Sequence, residues 1–341
     1  MVKENRTYIG FVDQIDDMGI GGWAKAKESE EPIKVSLKVE GKILDSTIAK
    51  EVRKDIIIAK IHPKGTCGYF FDLEGRDIDL SKVEVVCEPE QVPLKKTAVA
   101  IPTYNVIFRE PLFFLHIPKT AGSSFRRMLE KVTPQSITYP NRKELRDKVA
   151  LYYDYRIVGD IERERLEKTM LFLGHYPYKV LELMPSNVKT IVFFREPIER
   201  AISDLFFLRK EKQLENQSLE SFFDKERNHF DNLHVRFLSD TPTPLGNIVI
   251  NDDLLQQAKN NLDKCFCLGL LEEFKRSINL MNTALNIDLG QVVRTNVNKT
   301  KKKRLISDEL MEKIIAYNQF DKQLYEYAKL QFQLKCEKYH V

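Results

Sequence analysis

The sequence predicts an α/β chain, a parallel sheet flanked by helices, preceded by a small all-β, sandwich-like domain. Three observations carry that expectation. Residues 7 to 88 hold short alternating or apolar runs separated by Gly, Pro and Asp turns. From about residue 110, near-continuous apolar runs alternate with amphipathic stretches of helical period, the pattern of parallel strands covered on both faces. Between them, "CEPEQVPLKKTAVAIPTYN" carries three prolines and little periodicity. The expected division is 1–88 for the all-β module, 89–108 for a linker and 109–341 for the α/β domain.

In the front part the strands are "TYIGFV", "IGGWAKA", "IKVSLKVEGKIL", "CGYFFDLE" and "KVEVVCE". Ile33, Val35, Leu37 and Val39 alternate with Lys34, Ser36 and Lys38, which predicts a half-buried antiparallel strand with the serine and lysines outward. Trp23, the only tryptophan, follows Gly21 and Gly22. It reads as a core or inter-sheet anchor, or as a platform for a sugar ring. In the rear part "PLFFLHI", "VKTIVFF" and "CFCLGLL" lead into helices at 122–132, 197–212 and 273–286. One closing helix is expected, with Ser307 as cap, Asp308 and Glu309 in its first turn, and Leu310, Ile314, Tyr317, Leu324 and Ala328 on one stripe.

A chain of 341 residues with 43% hydrophobic side chains can bury a full core. Its 54 basic and 50 acidic residues leave a net charge of only +4, so any anion-binding surface must be local. The run "KTKKKR" at 299–304 reads as a solvated loop, and no specific nucleic-acid partner is expected. The five cysteines are odd in number and form no C-x-x-C pair, which fits buried thiols in a reduced, cytoplasmic compartment. No stretch approaches the roughly 18 to 20 apolar residues of a membrane span. His229 and His234 in "HFDNLH" lack a cysteine or second acid at metal spacing, so no metal is expected.

The stretch "FFLHIPKTAGSSF" runs from a strand into a helix through a lysine and a clump of small residues. The first turn of a helix offers unpaired N–H groups and the positive end of its dipole, at the carboxyl rim where parallel sheets bind ligands. The backbone of Thr120, Ala121, Gly122, Ser123 and Ser124 with the ammonium of Lys119 would make an anion cradle, P-loop-like in kind. It is not a Walker A loop, because the lysine precedes the only glycine. A plain strand-to-helix turn with a solvated lysine would look the same. "TIVFFREPIERAIS" adds Arg195 at the end of a second strand, Pro197 at a helix start and Ser203 about two turns on, groups suited to a second phosphate.

These stretches resemble the 5'-phosphosulfate loop and the 3'-phosphate motif of sulfotransferases that use 3'-phosphoadenosine 5'-phosphosulfate. The nearest resemblance is to the carbohydrate branch that includes heparan sulfate 2-O-sulfotransferases and bacterial members. It continues through "LFLGHYPY", "FDNLHVRFLSD", "CLGLLEEFKRSINLM" and "NQFDKQLYEYAKLQF", covering roughly residues 111 to 335. Glu196 departs from the family, which more often has Asp there.

The resemblance implies a sulfuryl transfer to a carbohydrate hydroxyl, with adenosine 3',5'-bisphosphate as product. Lys119 would serve the leaving phosphate and His175, after Gly174, would be the base; without the resemblance, His175 equally reads as a packed histidine. His116 reads as a buried structural histidine. Arg195 and Ser203 would hold the 3'-phosphate, with Lys302 and Arg304 in a loop that closes over the nucleotide. Arg200 would add charge there or pair with Glu196 or Glu199. Asn232 and Arg236 would line the acceptor pocket, or serve helix packing and an ion pair. The front part resembles a β-sandwich module attached to bacterial glycosyltransferases and sulfotransferases, and would bind glycan, bind a partner or act as scaffold. Two competing readings are a P-loop phosphotransferase such as a small-molecule kinase, and a glycan-binding protein without turnover. The absent Walker A signature weighs against the first, and intact Lys119, His175, Arg195 and Ser203 against the second.

Overall fold

The computed structural model describes residues 7–73, 76, 78–96, 108–141, 144, 163–290 and 305–341. The chain divides into two compact units, one of Met1–Tyr104 with Pro134–Ser136, the other of Asn105–Thr133 with Ile137–Val341.

The first unit runs β1 (Tyr8–Asp16), β2 (Gly19–Ala26), β3 (Ile33–Val39), β4 (Lys42–Ala49), β5 (Glu51–Val52), α1 (Lys54–Ile58), β6 (Thr66–Asp72), β7 (Val83–Cys87), β8 (Val92–Pro93) and β9 (Lys95–Lys96). One sheet has the order β5-β6-β2-β1-β9 and the other β4-β3-β7-β8. All pairings are antiparallel except β1 with β9. Val12, Ile15 and Ile20 from the first sheet and Val35, Leu37 and Val85 from the second share one apolar core. The proline-rich segment after residue 88 supplies β8 and β9, because its free backbone groups find open edges beside β7 and β1.

Two details of this unit differ from, or decide between, the sequence expectations. Ser36 does not face solvent: it is fully buried, and its Oγ shares a hydrogen bond with Ser46 Oγ at 2.8 Å and donates to Glu88 Oε1 at 2.5 Å. A central strand can bury a hydroxyl when such partners exist. Trp23 packs with Ile56 and Cys67 in a small cluster, 7% exposed, so it is an anchor and not an open platform.

The second unit runs β10 (Leu112–Leu115), α2 (Gly122–Val132), β11 (Thr138–Tyr139), α3 (Arg163–Lys168), β12 (Leu171–Gly174), β13 (Lys189–Phe194), α4 (Pro197–Glu211), α5 (Leu219–Lys225), α6 (Leu233–Leu238), α7 (Asp252–Lys264), β14 (Cys267–Leu270), α8 (Phe274–Leu285), α9 (Asp308–Ala316) and α10 (Gln319–Tyr339). Its five strands pair in the order β11-β12-β10-β13-β14, all parallel. β10, β12 and β14 are buried along their whole length, as a sheet covered on both faces requires. β10 is central, and the chain leaves it first toward β11 and β12 and later toward β13 and β14. That reversal opens a crevice beyond the carboxyl end of β10.

The single closing helix expected from the sequence is two. Asn318 donates through Nδ2 to the Ile314 carbonyl at 2.8 Å and to the Phe230 carbonyl at 2.7 Å, ending α9. Asn232 Oδ1 then accepts from the amides of Phe320 and Asp321, both at 2.9 Å, and starts α10 anew. All five cysteines are buried and free. Among the described residues no helix is long and apolar enough to cross a membrane, and no group of His, Cys, Asp and Glu is arranged to hold a metal ion.

Candidate active site

Parallel pairing carries the ends of neighbouring strands to one rim. Leu115 of β10 pairs with Gly174 of β12 and with Val192 of β13. His116 to Lys119, His175 and Arg195 therefore emerge beside one another, though 79 residues separate the first from the last.

The turn from β10 into α2 is conformationally unusual. Lys119 (φ 67°) and Ala121 (φ 77°) are both left-handed without being glycine, at a cost of about 1 kcal/mol each that the surrounding fold must sustain. Between them Thr120 is fully buried, its Oγ1 donating to the Ile117 carbonyl at 2.8 Å. Thr120 can thus offer a ligand only its backbone N–H. Ala121 is the N-cap of α2, and no side chain caps that helix. Within its first turn the Ser124 amide donates to the Ala121 carbonyl at 3.0 Å and is not open to a ligand, while the amides of Gly122 and Ser123 precede any helical acceptor. Ser123 is exposed and Ser124 half-buried. Left-handed residues on both sides of Thr120 make this a turn of the kind that can bring neighbouring N–H groups toward one anion.

Gly122 has a different reason from the one its motif suggests. A Cβ built on it would fall 1.8 Å from Cδ2 and Nε2 of His116. The space that a side chain would take is filled by an imidazole.

His175 donates from Nδ1 to the His116 carbonyl, 2.6 Å away. A carbonyl can only accept, so the proton sits on Nδ1 and the lone pair on Nε2. The ring is part-exposed at the rim, yet loss of hydration pushes its pKa down to about 4; the carbonyl bond opposes that, while Arg126 and Lys119 add to it. His116, 8% exposed, is pushed well below its ordinary value by burial and then by His175, Arg126 and Lys119. Both rings are neutral at neutral pH.

Lys119 places Nζ 3.9 Å from the centroid of the Phe207 ring on α4, a cation–π contact. Arg195 donates from Nη1 to the Lys119 carbonyl at 3.3 Å and lies 3.9 Å from Glu199; burial pushes its guanidinium below the usual value. Glu196 caps α4, accepting from the Glu199 amide at 2.7 Å, which accounts for an acid at that position. Ser203 is half-buried in the second turn of α4.

Arg200 is fully buried and pairs with neither Glu196 nor Glu199. It reaches Asp204 at 3.3 Å and the His229 carbonyl at 3.0 Å, because its position on α4 points inward. Burial raises Asp204 to about 6, with Arg200 and Lys119 holding it down from there.

The structure brings Lys119, Thr120, Ala121, Gly122, Ser123, Ser124, His175 and Arg195 to one rim. Asn232 and Arg236 are taken up by the fold. Asn232 is buried and caps α10. Arg236, 1% exposed, donates to the carbonyls of Asp231, Pro244, Gly246 and Ile248 and to the Asp231 carboxylate. Of the two sequence readings, packing is the one these contacts fill: Arg236 spends all five donors on the chain itself, and Asn232 gives Nδ2 to the Asp231 carboxylate at 2.9 Å. Lys302 and Arg304 lie outside the described residues. Arg126 and Phe207 were missed by the sequence reading. Arg126 stands one turn after Gly122, a spacing that could have found it; nothing local marks Phe207 as the partner of Lys119.

Residues 102–328, two thirds of the chain, match the family model described as sulfotransferase family. No curated protein matches the chain.

Proposed function

Since the chain belongs to the sulfotransferase family, we propose that it moves a sulfuryl group from 3'-phosphoadenosine 5'-phosphosulfate, the donor this family generally uses, to a hydroxyl of a carbohydrate. The observation that carries the reading is the meeting of Lys119, His175 and Arg195 at one sheet rim around a left-handed turn. The carbohydrate acceptor rests on the resemblance of the motifs to the heparan sulfate 2-O-sulfotransferase branch. We read the β10–α2 turn as P-loop-like and the front unit as an accessory module, its two sheets sandwich-like. The five buried free thiols support a reducing, cytoplasmic setting, and we read the chain as one of the bacterial branch on the resemblance of its motifs.

The residues present fit the donor. The amides of 120 to 123 and the Lys119 ammonium would receive the 5'-phosphosulfate, and Arg195 with Ser203 the 3'-phosphate. The donor supplies an activated sulfuryl group whose departure leaves negative charge on a phosphate. Lys119 is tethered by a strained turn and lies over Phe207, so its charge stands in place before that charge develops, which is what electrostatic preorganisation requires. His175 presents Nε2 as proton acceptor because its other nitrogen is committed to the His116 carbonyl. With its pKa near 4 it stays neutral at neutral pH, and a seated anion favours its protonated form as the acceptor proton arrives.

Calorimetry with adenosine 3',5'-bisphosphate, ADP and ATP tests the donor assignment. The bisphosphate should bind most tightly; tighter binding of ATP would point to a phosphotransferase instead. Transfer of labelled sulfate to a panel of glycans then tests turnover and the acceptor.

A further inference from the structure

His116 is enclosed on three sides by parts of the candidate site. The sheet register sets this up: with Leu115 opposite Gly174, His116 and His175 leave adjacent strands side by side. The His116 amide donates to the Gly174 carbonyl at 3.0 Å, and His175 Nδ1 donates back to the His116 carbonyl at 2.6 Å. The two ring centroids are 4.1 Å apart at 32°. On another side the His116 ring stacks on Phe114 at 5.3 Å and 14°. On a third it occupies the place of the missing Gly122 side chain, 1.8 Å from where a Cβ would be. Carbon atoms in contact prefer about 3.5 to 4 Å, so there is no slack between the loop and the ring. At 8% exposure the ring is closed to substrate and is not a second base.

We propose that His116 is a positioning residue, a spacer between Gly122 and the His175 ring, so that one side chain sets both the seat of the anion loop and the place of the base. This rests on reading the loop as the donor cradle and His175 as the base. A consequence is that Gly122 is bare to admit an imidazole, not a phosphate. Among the described residues, the charged groups that face the pair are Arg126 of α2, itself bound to Glu130 at 2.6 Å, and Lys119 of the turn.

The test uses the full chain with ¹⁵N-labelled histidines, as wild type, His116→Ala, Gly122→Ala and the double variant. Removing the spacer admits water beside His175, so in His116→Ala its titration midpoint should rise by about one pH unit or more toward the ordinary value. Gly122→Ala should weaken binding of adenosine 3',5'-bisphosphate about tenfold or more when His116 is present, and by less than about threefold when it is Ala. An unmoved His175 midpoint overturns the proposal, and so does an equal Gly122→Ala penalty in both backgrounds. If Gly122→Ala alone fails to fold, recovery of folded protein in the double variant supports the spacer and continued failure rules it out. A wild-type chain that binds no bisphosphate sinks the donor reading, while the His175 midpoint still decides the spacer.

Discussion

The carboxyl rim of the parallel sheet and the junction of α6 with α10 are both built from histidine, arginine and small polar residues, to opposite ends. At the junction Arg236 uses all five N–H donors on the chain itself, Asn232 caps α10, and Asp321 accepts the amides of His234 and Val235, both at 2.9 Å. Burial alone would raise the Asp321 carboxyl, but His234 and those two amides hold it below its ordinary value. At the rim two residues are left-handed, Ser123 is exposed, and His175 directs its lone pair away from its backbone partner. A motif residue whose valences close within the chain serves the fold. Residues held in strain at a sheet's carboxyl edge, as Lys119 and Ala121 are, need another reason for their cost, and that is where a ligand site is sought.

The widest separation is expected from Lys119 and His175. Lys119→Ala should lower sulfate transfer about a thousandfold and weaken nucleotide binding too, with Lys119→Arg restoring little because a planar fork does not replace a compact ammonium. His175→Ala should lower turnover about a hundredfold while nucleotide affinity stays nearly intact. Paired transfer assays and calorimetry check both, and wild-type turnover in His175→Ala would return that residue to a structural role.

On the other side of the comparison, Arg236→Met should remove the buried donor to four carbonyls and to the Asp231 carboxylate. The expected loss is about 3 to 5 kcal/mol of stability, or roughly 10 °C in melting temperature, with the bisphosphate affinity of the folded protein within about twofold of wild type. A stable Arg236→Met with lost transfer would instead move Arg236 to the acceptor side.

The rim should also prefer adenosine 3',5'-bisphosphate over AMP by roughly ten- to a hundredfold, the worth of one charge-assisted contact from Arg195. Equal affinities in calorimetry would remove the 3'-phosphate assignment.

The smallest effect is on stability against pH. His175 and His229 are both depressed to about 4, chiefly by burial, so between about 6.5 and 4 the unfolded chain binds protons that the folded chain refuses. Asp204, raised to about 6, works the other way between 6 and 3.8. Two histidines, joined by His116, which burial also pushes well below its ordinary value, outweigh one aspartate, so thermal melts should show stability falling as pH drops from 6.5 toward 4.

Much of the second unit was legible because its signals are local. Apolar runs ending in Gly174, Phe194 and Leu270 mark buried strands, and the helices at 122, 197 and 274 begin within a residue of where period and proline placed them. The break at Asn318 was not legible, since the cap that restarts the helix comes from Asn232, 86 residues earlier. Nor was the burial of Ser36, whose partners Ser46 and Glu88 lie on other segments. Arg200 and Arg236 look like surface cations in one dimension and are fully buried in three.

By itself the sequence determined the main buried strands of the second unit and the helices that follow three of them, that a lysine and small residues stand where an apolar strand meets a helix, and that the family is that of sulfotransferases. Those follow from side-chain period and from the chemistry of contiguous residues, which are properties of short stretches. Only the tertiary structure decided that His116 fills the place beside Gly122, that the His175 proton sits on Nδ1, and that Asn232 and Arg236 close on the fold. Each of these depends on which strand ends lie side by side and which carbonyl faces which donor. That is settled by sheet register and packing between residues distant in sequence, where a local pattern carries no information.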